Sequence, residues 1–380
     1  MLSRFLEAAS ALPPDRLNEI GPLFASAAGA TIARILIADY DHKVLVELGK
    51  GDVVSLTGTV ADRVFATQKP YVTSNSQTVW LPMTEDDERL GAVELEFEHS
   101  APEELAGILG LLQVLVLVIV SKRRYTDTVL QARRTKPLSA AAEIQWGLLP
   151  PLSSRGTNAA ISGRLDPAYT TGGDSFDYAF TSHCLEFVLL DAVGHGLPAV
   201  LKSVAATGAI RNARRERKTL EDAYHAAGAV LVSEFGDNYY VTGVIGSLDL
   251  RSGELHWINA GHPLPLLVRN GHLLGELKCE PSMPAGLGGS VREVACESLQ
   301  PGDKVLFYTD GMTEARAVGV GQFGTERLAE MFLQATLDDL STPEIGRKLS
   351  IAVHEHSQGD LADDAATVIL DYHPAPGADR

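Results

Sequence analysis

The sequence predicts an α+β protein in three parts: an α/β unit over residues 1–120, a helical linker over 121–151, and a layered α+β domain over 152–375. Three observations predict it. Strand-like and helical runs come in blocks along the second half of the chain. Asn270-Gly271 separates two apolar runs, the signature of a tight hairpin. Pro150-Pro151 divides a helical segment from a β-rich one.

In the first unit a helical segment runs through LNEIGPLFASAAG. Strand-like runs TIARILIADY and HKVLVELG follow, then a helical TVADRVFATQ, then strand-like PYVTS, TVWLPM and LGAVELEFE. An apolar helix from Glu103 to about Val120 closes the unit. This order of elements resembles a GAF domain, a small sensor module; the alternative is a dimerisation domain with no ligand. In the linker, KRRYTDTVLQARR is basic and helix-compatible, and Pro137 interrupts it. LSAAAEIQWGLLPP then carries Leu138, Ala141, Ile144, Gln145, Leu148 and Leu149 at helical spacing. That segment fits a two-chain coiled segment, or a helix packed on the next domain.

In the third part, GVIGSLDLRSGELHWINAG reads as two strands joined at Asp249–Gly253. One helix runs from Gly196 to about Arg217, with Val200, Leu201, Val204 and Gly208 on one face. A second starts at Thr219, with Asp222 completing a capping box. Two more lie near 325–338 and 341–357, the latter opened by a Ser341/Glu344 capping box.

Composition narrows the function. The 380 residues carry 32 Lys and Arg against 49 Asp and Glu, a formal charge of −17 that disfavours a nucleic-acid partner. Cys184, Cys279 and Cys296 form no CxxC pair, which suits a reducing compartment. The N-terminus MLSRFLEAASALPPDR is too polar for a secretory signal, so a cytoplasmic location is expected. The apolar run Leu105–Val120 falls short of the roughly 20 residues of a spanning helix, so no membrane span is expected.

Four acidic clusters carry the chemistry. Asp174 and Asp177 lie in GGDSFD, Asp191 in LLDAVGHG, Asp310 in FYTDGMTE, and Asp363 and Asp364 in LADDAATVIL. Each stands at a turn or strand end. Carboxylates brought together repel and raise each other's pKa, and hard divalent cations with oxygen ligands relieve that repulsion. Glycines flank the first three clusters and allow tight backbone turns. His195, in the turn after Asp191, is a possible general acid or a simple turn residue. His262, in the NAGHP loop, either touches substrate or closes a turn. GGDSF is unlike the GGDEF signature of nucleotide cyclases, because Ser175 stands where Glu is needed.

The set Ile144–Pro150, GGDxxD, DxxGHG, NAGHP, TDGxxEA and the closing Asp-Asp pair resembles the metal-dependent (PPM) serine/threonine phosphatases. Within them it is similar to the bacterial branch typified by SpoIIE and RsbU. The resemblance implies an αββα sandwich with two Mn²⁺ or Mg²⁺ ions between the sheets. It implies that Asp191 bridges both ions and that the Ala192 carbonyl and Asp174 serve the second. Asp310 and Asp363 would serve the first, with Asp364 as the substitute for Asp363. Asp191, Asp174 and Asp310 would then be the catalytic residues, and Asp177 would stand behind the ligands or hold an extra ion. The implied substrate is a phosphorylated STAS-type anti-anti-sigma factor. The chain would act as a homodimer, under an upstream regulator or a small ligand at the GAF-like unit. Larger relatives hold phosphate with an arginine just before the first aspartate; here only Arg164 is nearby. The competing function is a metal-binding signalling scaffold that does not turn over.

Overall fold

A computed structural model describes residues 2–170, 172–317, 321–358, 361 and 363–374. The chain forms two compact units, Met1–Pro137 and Leu138–Arg380. The segment read as a linker is therefore shared between them.

The first unit opens with helix α1 (Leu2–Ala11), a 3₁₀ turn (Pro14–Glu19) and α2 (Ile20–Ala28). Strands β1 (Ile32–Ala38), β2 (Val44–Glu47) and β3 (Val53–Ser55) follow, then α3 (Val60–Thr67). Next come β4 (Tyr71–Val72), β5 (Thr78–Glu85), β6 (Glu88–Glu96), α4 (Ala106–Lys122) and α5 (Thr128–Arg133). The six strands form one sheet in the order β3-β2-β1-β6-β5-β4. Alternation along each strand sends Ile35, Ile37, Leu81 and Val93 to the face covered by α1, α2 and α4. Leu36, Ala38, Trp80 and Ala92 go to the face covered by α3. The sequence reading lacked α1, whose Phe5 and Ala9 are buried among otherwise exposed neighbours, and β3, a short edge strand.

The second unit begins with α6 (Ala140–Leu148), β7 (Ser153–Arg155), β8 (Ala159–Asp166), β9 (Ser175–Phe180) and β10 (Cys184–Ala192). Helices α7 (Leu197–Arg215) and α8 (Leu220–Phe235) follow, then β11 (Val241–Asp249), β12 (Glu254–Ala260), β13 (Leu266–Arg269) and β14 (His272–Glu276). After them come β15 (Ala295–Ser298), β16 (Lys304–Tyr308), α9 (Gly311–Glu314), β17 (Arg316–Ala317) and β18 (Gly321–Gln322). Helices α10 (Thr325–Leu337) and α11 (Thr342–His356) lead to the last strand, β19 (Ala365–Tyr372).

Two antiparallel sheets stack face to face, β15-β12-β11-β10-β9 and β14-β13-β16-β19-β8-β7. Their inner faces interdigitate through Phe176, Phe187, Trp257, Ile161, Phe307 and Val368. Phe187 and Phe307 meet across the gap with ring centroids 4.8 Å apart. Helices α7 and α8 cover the outer face of the first sheet, and α10 and α11 that of the second. The layers are thus α, β, β, α. The β13–β14 hairpin turns on Asn270 and Gly271, both at positive φ, as the Asn-Gly pair predicts. The Thr219/Asp222 capping box forms. At α11 it does not: the Ser341 side chain makes no cap bond, and Glu344 turns inward to Arg347 at 2.7 Å. Among the described residues no helix is long and apolar enough to cross a membrane.

Candidate metal centre

Alternation along the strands decides which acidic residues meet. In β10, Leu185, Phe187 and Leu189 face the inner core, so Asp191, next in that series, faces it too. Thr242 stands directly across from Asp191 in β11 and shares its face. Just before β9, Asp174 is in step with the inward Phe176 and Tyr178. Thr309, after β16, follows the inward Phe307, and Asp364, before β19, precedes the inward Ala366 and Val368. All converge at one end of the sandwich, where the loop from β8 to β9 crosses from the second sheet to the first.

Backbone and hydroxyl groups lock this end together. The Thr309 hydroxyl donates to Asp174 Oδ2 at 2.6 Å and accepts the Ala366 N–H at 2.8 Å. The Asp364 carboxylate accepts the N–H groups of Gly172 and Asp174. Two glycines are required by contact rather than by turn geometry. A Cβ at Gly173 would overlap the Ala192 carbonyl oxygen, and one at Gly311 would overlap the Asp364 carbonyl oxygen. Gly194 and Gly196 serve differently: both adopt positive φ in the turn from β10 to α7.

The cluster is electrostatically unbalanced. Burial, then the charges of Asp191 and Asp364, hold Asp174 well above the usual carboxylate range. Burial, then Asp310 and Asp363, push Asp191 up to about 6. Burial, then Asp363 and Glu314, raise Asp310. Burial also pushes Asp364 up to about 7, against the two N–H groups it accepts. Asp363 is exposed, and its Oδ1 accepts the Asp364 N–H at 2.9 Å. These are hard oxygen donors with excess negative charge, the donor set that Mn²⁺ or Mg²⁺ takes. Among the described residues no three His, Cys, Asp or Glu side chains close to ion-holding separation as they stand.

Several expectations need correction. Asp177 does not join the cluster. Three residues from Asp174 along an extended chain, it faces the opposite side of the sheet. There it is buried and paired with Arg211 at 2.6 Å and Arg214 at 2.9 Å, both from α7. Arg164 is no phosphate holder. It sits under α11 and donates to Asp166 at 3.1 Å, where its charge, together with His354, outweighs burial and keeps Asp166 ionised. The buried face of α7 also differs from the apolar stripe expected: Leu201 and Gly208 are exposed, while Lys202 and Ser203 are buried.

Lys202 and Ser203 are the functional neighbours that sequence reasoning missed. Lys202 donates to the Val193 carbonyl and lies 5.0 Å from the Tyr239 ring centroid. The Ser203 hydroxyl donates to the Gly173 carbonyl. Two polar residues on the inward face of an amphipathic helix were the available signal. Gln145 of α6 donates to the Asp174 carbonyl, and Trp146 donates to the Ala168 carbonyl at 2.8 Å. His195 is exposed in its turn, and His262 is buried.

Comparison with known proteins agrees with this architecture. Protein IcfG of Synechocystis sp. is 27% identical over 143 residues, 37% of this chain and 22% of its own length. The structure of the RsbU and RsbW domains of Rv1364c from Mycobacterium tuberculosis is 26% identical, with a TM-score of 0.50 over 58% of this chain and 63% of that one. The SiaA-PP2C domain of Pseudomonas aeruginosa shares the fold, with a TM-score of 0.51 at 21% identity over 61% of this chain and 94% of that one. The chain thus spans about a fifth of the curated relative and under two thirds of the Mycobacterium chain. The family model of stage II sporulation protein E (SpoIIE) matches residues 181–373, from just after Asp177 through Asp191, Asp310 and the Asp363-Asp364 pair. With just over half of its length matched and the two-sheet sandwich in place, the chain belongs to the SpoIIE family.

Proposed function

We propose that the chain is a metal-dependent protein serine/threonine phosphatase. One observation carries this reading: Asp174, Asp191, Asp310 and Asp364 gather at one end of the sandwich, with pKa values raised by burial and mutual repulsion. Two divalent cations, Mn²⁺ or Mg²⁺, would balance that charge. Asp191 would bridge them, Asp174 and the Ala192 carbonyl would hold one, and Asp310 and Asp363 the other. When bound, such a pair supplies a water activated for attack on phosphorus. Asp364 fits the backbone of the 172–174 loop better than an ion, since its carboxylate already accepts two N–H groups there. With Arg164 committed to Asp166, the substrate phosphate would rely on the cations and on docking of the protein that carries it.

The proposed substrate is a phosphorylated STAS-type anti-anti-sigma factor in the cytoplasm. Support comes from the family and from a relative whose chain carries RsbU and RsbW domains. The N-terminal unit is proposed as a GAF-like sensor that dimerises. Its support is the order of its elements, an open cleft of about 710 Å³ beside α2 and β1, and Leu117 of α4, which is 62% exposed. Through Gln145, α6 would carry its signal to Asp174.

A second reading, a scaffold that binds metal without turnover, is favoured by the separation of the acidic side chains among the described residues. Titrating Mn²⁺ into the full chain with p-nitrophenyl phosphate, then with phosphorylated STAS proteins, separates the two. The phosphatase reading expects metal-dependent phosphate release. Cation binding with no release from either substrate would leave the scaffold.

A further inference from the structure

We propose that His262, in the turn after β12, is a positioning residue that fixes the carboxylate of Asp191 through the hydroxyl of Thr242. The inference rests on the phosphatase reading, because it concerns the carboxylate proposed to bridge the two cations.

Three residues form a chain. Thr242 stands directly opposite Asp191 in the β10–β11 pair, so both side chains leave the same face of the sheet, with Cβ atoms about 5 Å apart. The Thr242 hydroxyl is close enough to the Asp191 carboxylate to favour its ionised form, the one effect that opposes burial and neighbouring charge there. His262 Nδ1 lies 3.3 Å from the same hydroxyl oxygen. A hydroxyl has one proton to give. An ionised carboxylate is the stronger acceptor, so the proton goes to Asp191. In the arrangement inferred, the hydroxyl lone pair then faces Nδ1, which carries the imidazole proton.

The surroundings hold His262 to that task. Its N–H donates to Asn259 Oδ1 at 2.7 Å, and Asn259 Nδ2 donates back to the His262 carbonyl at 2.8 Å. Asn259 is itself buried, so the loop cannot drift without stranding both groups. Burial lowers the imidazole to about 3, and a contact with the Tyr308 backbone opposes this only in part. The ring is therefore neutral at any working pH. Among the described residues Nε2 makes no hydrogen bond, which leaves Nδ1 as the atom through which the ring acts. A neutral donor aimed at Thr242 keeps that hydroxyl, and with it the Asp191 carboxylate, in one orientation. Partners standing behind metal ligands commonly account for about 10–100-fold in affinity or activity.

The test uses the two amide mimics of histidine in the full-length chain. An Asn amide nitrogen falls near the position of Nδ1, and a Gln amide nitrogen near that of Nε2. Mn²⁺ affinity is read by electron paramagnetic resonance of the free ion, beside p-nitrophenyl phosphate turnover and the melting temperature of the metal-free protein. His262→Gln and Thr242→Val are expected to weaken Mn²⁺ binding about 10–100-fold, while His262→Asn and Thr242→Ser stay close to wild type. The double variant His262→Gln/Thr242→Val should bind no more weakly than Thr242→Val alone, since one residue acts through the other. Should His262→Gln fail to fold, the Thr242→Val and Thr242→Ser pair decides. Wild-type affinity in both Gln and Val variants overturns the inference. So does a His262→Asn protein that melts normally but binds as poorly as His262→Gln. A wild-type protein that binds no Mn²⁺ overturns the phosphatase reading and this inference together, whereas unaffected variants of a binding wild type overturn this inference alone.

Discussion

Asp174 and Asp177 belong to one short motif, yet they live in opposite electrostatic worlds. Asp174 faces inward among other carboxylates and is held well above the usual range. Asp177 faces outward, where Arg211 and Arg214 neutralise it. Both are buried, so burial does not separate them. The partner does. A buried carboxylate whose countercharge is an arginine is structural, and one whose neighbours are carboxylates invites a cation.

The largest expected effect tests the inward side. Asp191→Asn and Asp310→Asn should each reduce Mn²⁺-dependent hydrolysis of p-nitrophenyl phosphate to background while the protein remains folded by circular dichroism. Full activity in either would remove that residue from the metal assignment. On the outward side, Asp177→Ala strands two arginines and should cost about 3 kcal/mol of stability, read from urea unfolding of the protein. Its Mn²⁺ affinity should change far less than that of Asp191→Asn. Equal losses of affinity would erase the distinction between the two faces.

A smaller effect concerns Asp364. Its folded-state pKa, about 7, lies above the ordinary carboxylate value, so the folded protein binds its proton more tightly than the unfolded chain. That contribution to stability is complete below about pH 4 and is lost as the pH rises through about 7. Asp364→Asn should therefore gain stability relative to wild type between pH 5 and pH 8, both measured with chelator (roughly the window set by those two values). A difference that is flat across that window would show that Asp364 titrates normally. The smallest effect belongs to the linker helix. Gln145→Ala removes one hydrogen bond to the Asp174 carbonyl, worth about 1 kcal/mol, and should weaken Mn²⁺ binding by up to about tenfold. An unchanged titration curve would count against α6 as a route to the site.

Much of this was legible in the sequence, for reasons that differ by residue. The β13–β14 hairpin was readable because Asn270-Gly271 is a local instruction. Asp191 and Asp310 were readable because apolar strands end beside them and glycines follow. Asp177 was misjudged because β9 was not recognised as a strand starting at Ser175, and without the strand the alternation that sends it outward is invisible. Ser203 and Thr242 act by meeting groups from distant segments, and Lys202 by reaching back to the Val193 carbonyl across a turn. No local pattern encodes such meetings. Arg164 looks free in the sequence because its pairing with Asp166, a carboxylate that His354 reaches from far along the chain, appears only in the fold.

The fit of Gly311 against the Asp364 carbonyl has a mechanical side. Two backbones in contact with no side chain between them act as an end stop. The turn after β16 cannot settle deeper toward β19, and it cannot lift away without breaking the Thr309 bonds to Asp174 and Ala366. The spacing between Asp310 and Asp364, at the ends of the neighbouring strands β16 and β19, is therefore gauged by main-chain atoms, which have few ways to relax. The smallest added methyl, Gly311→Ala, would act as a shim, parting the ends of β16 and β19 from a point that carries no charge of its own.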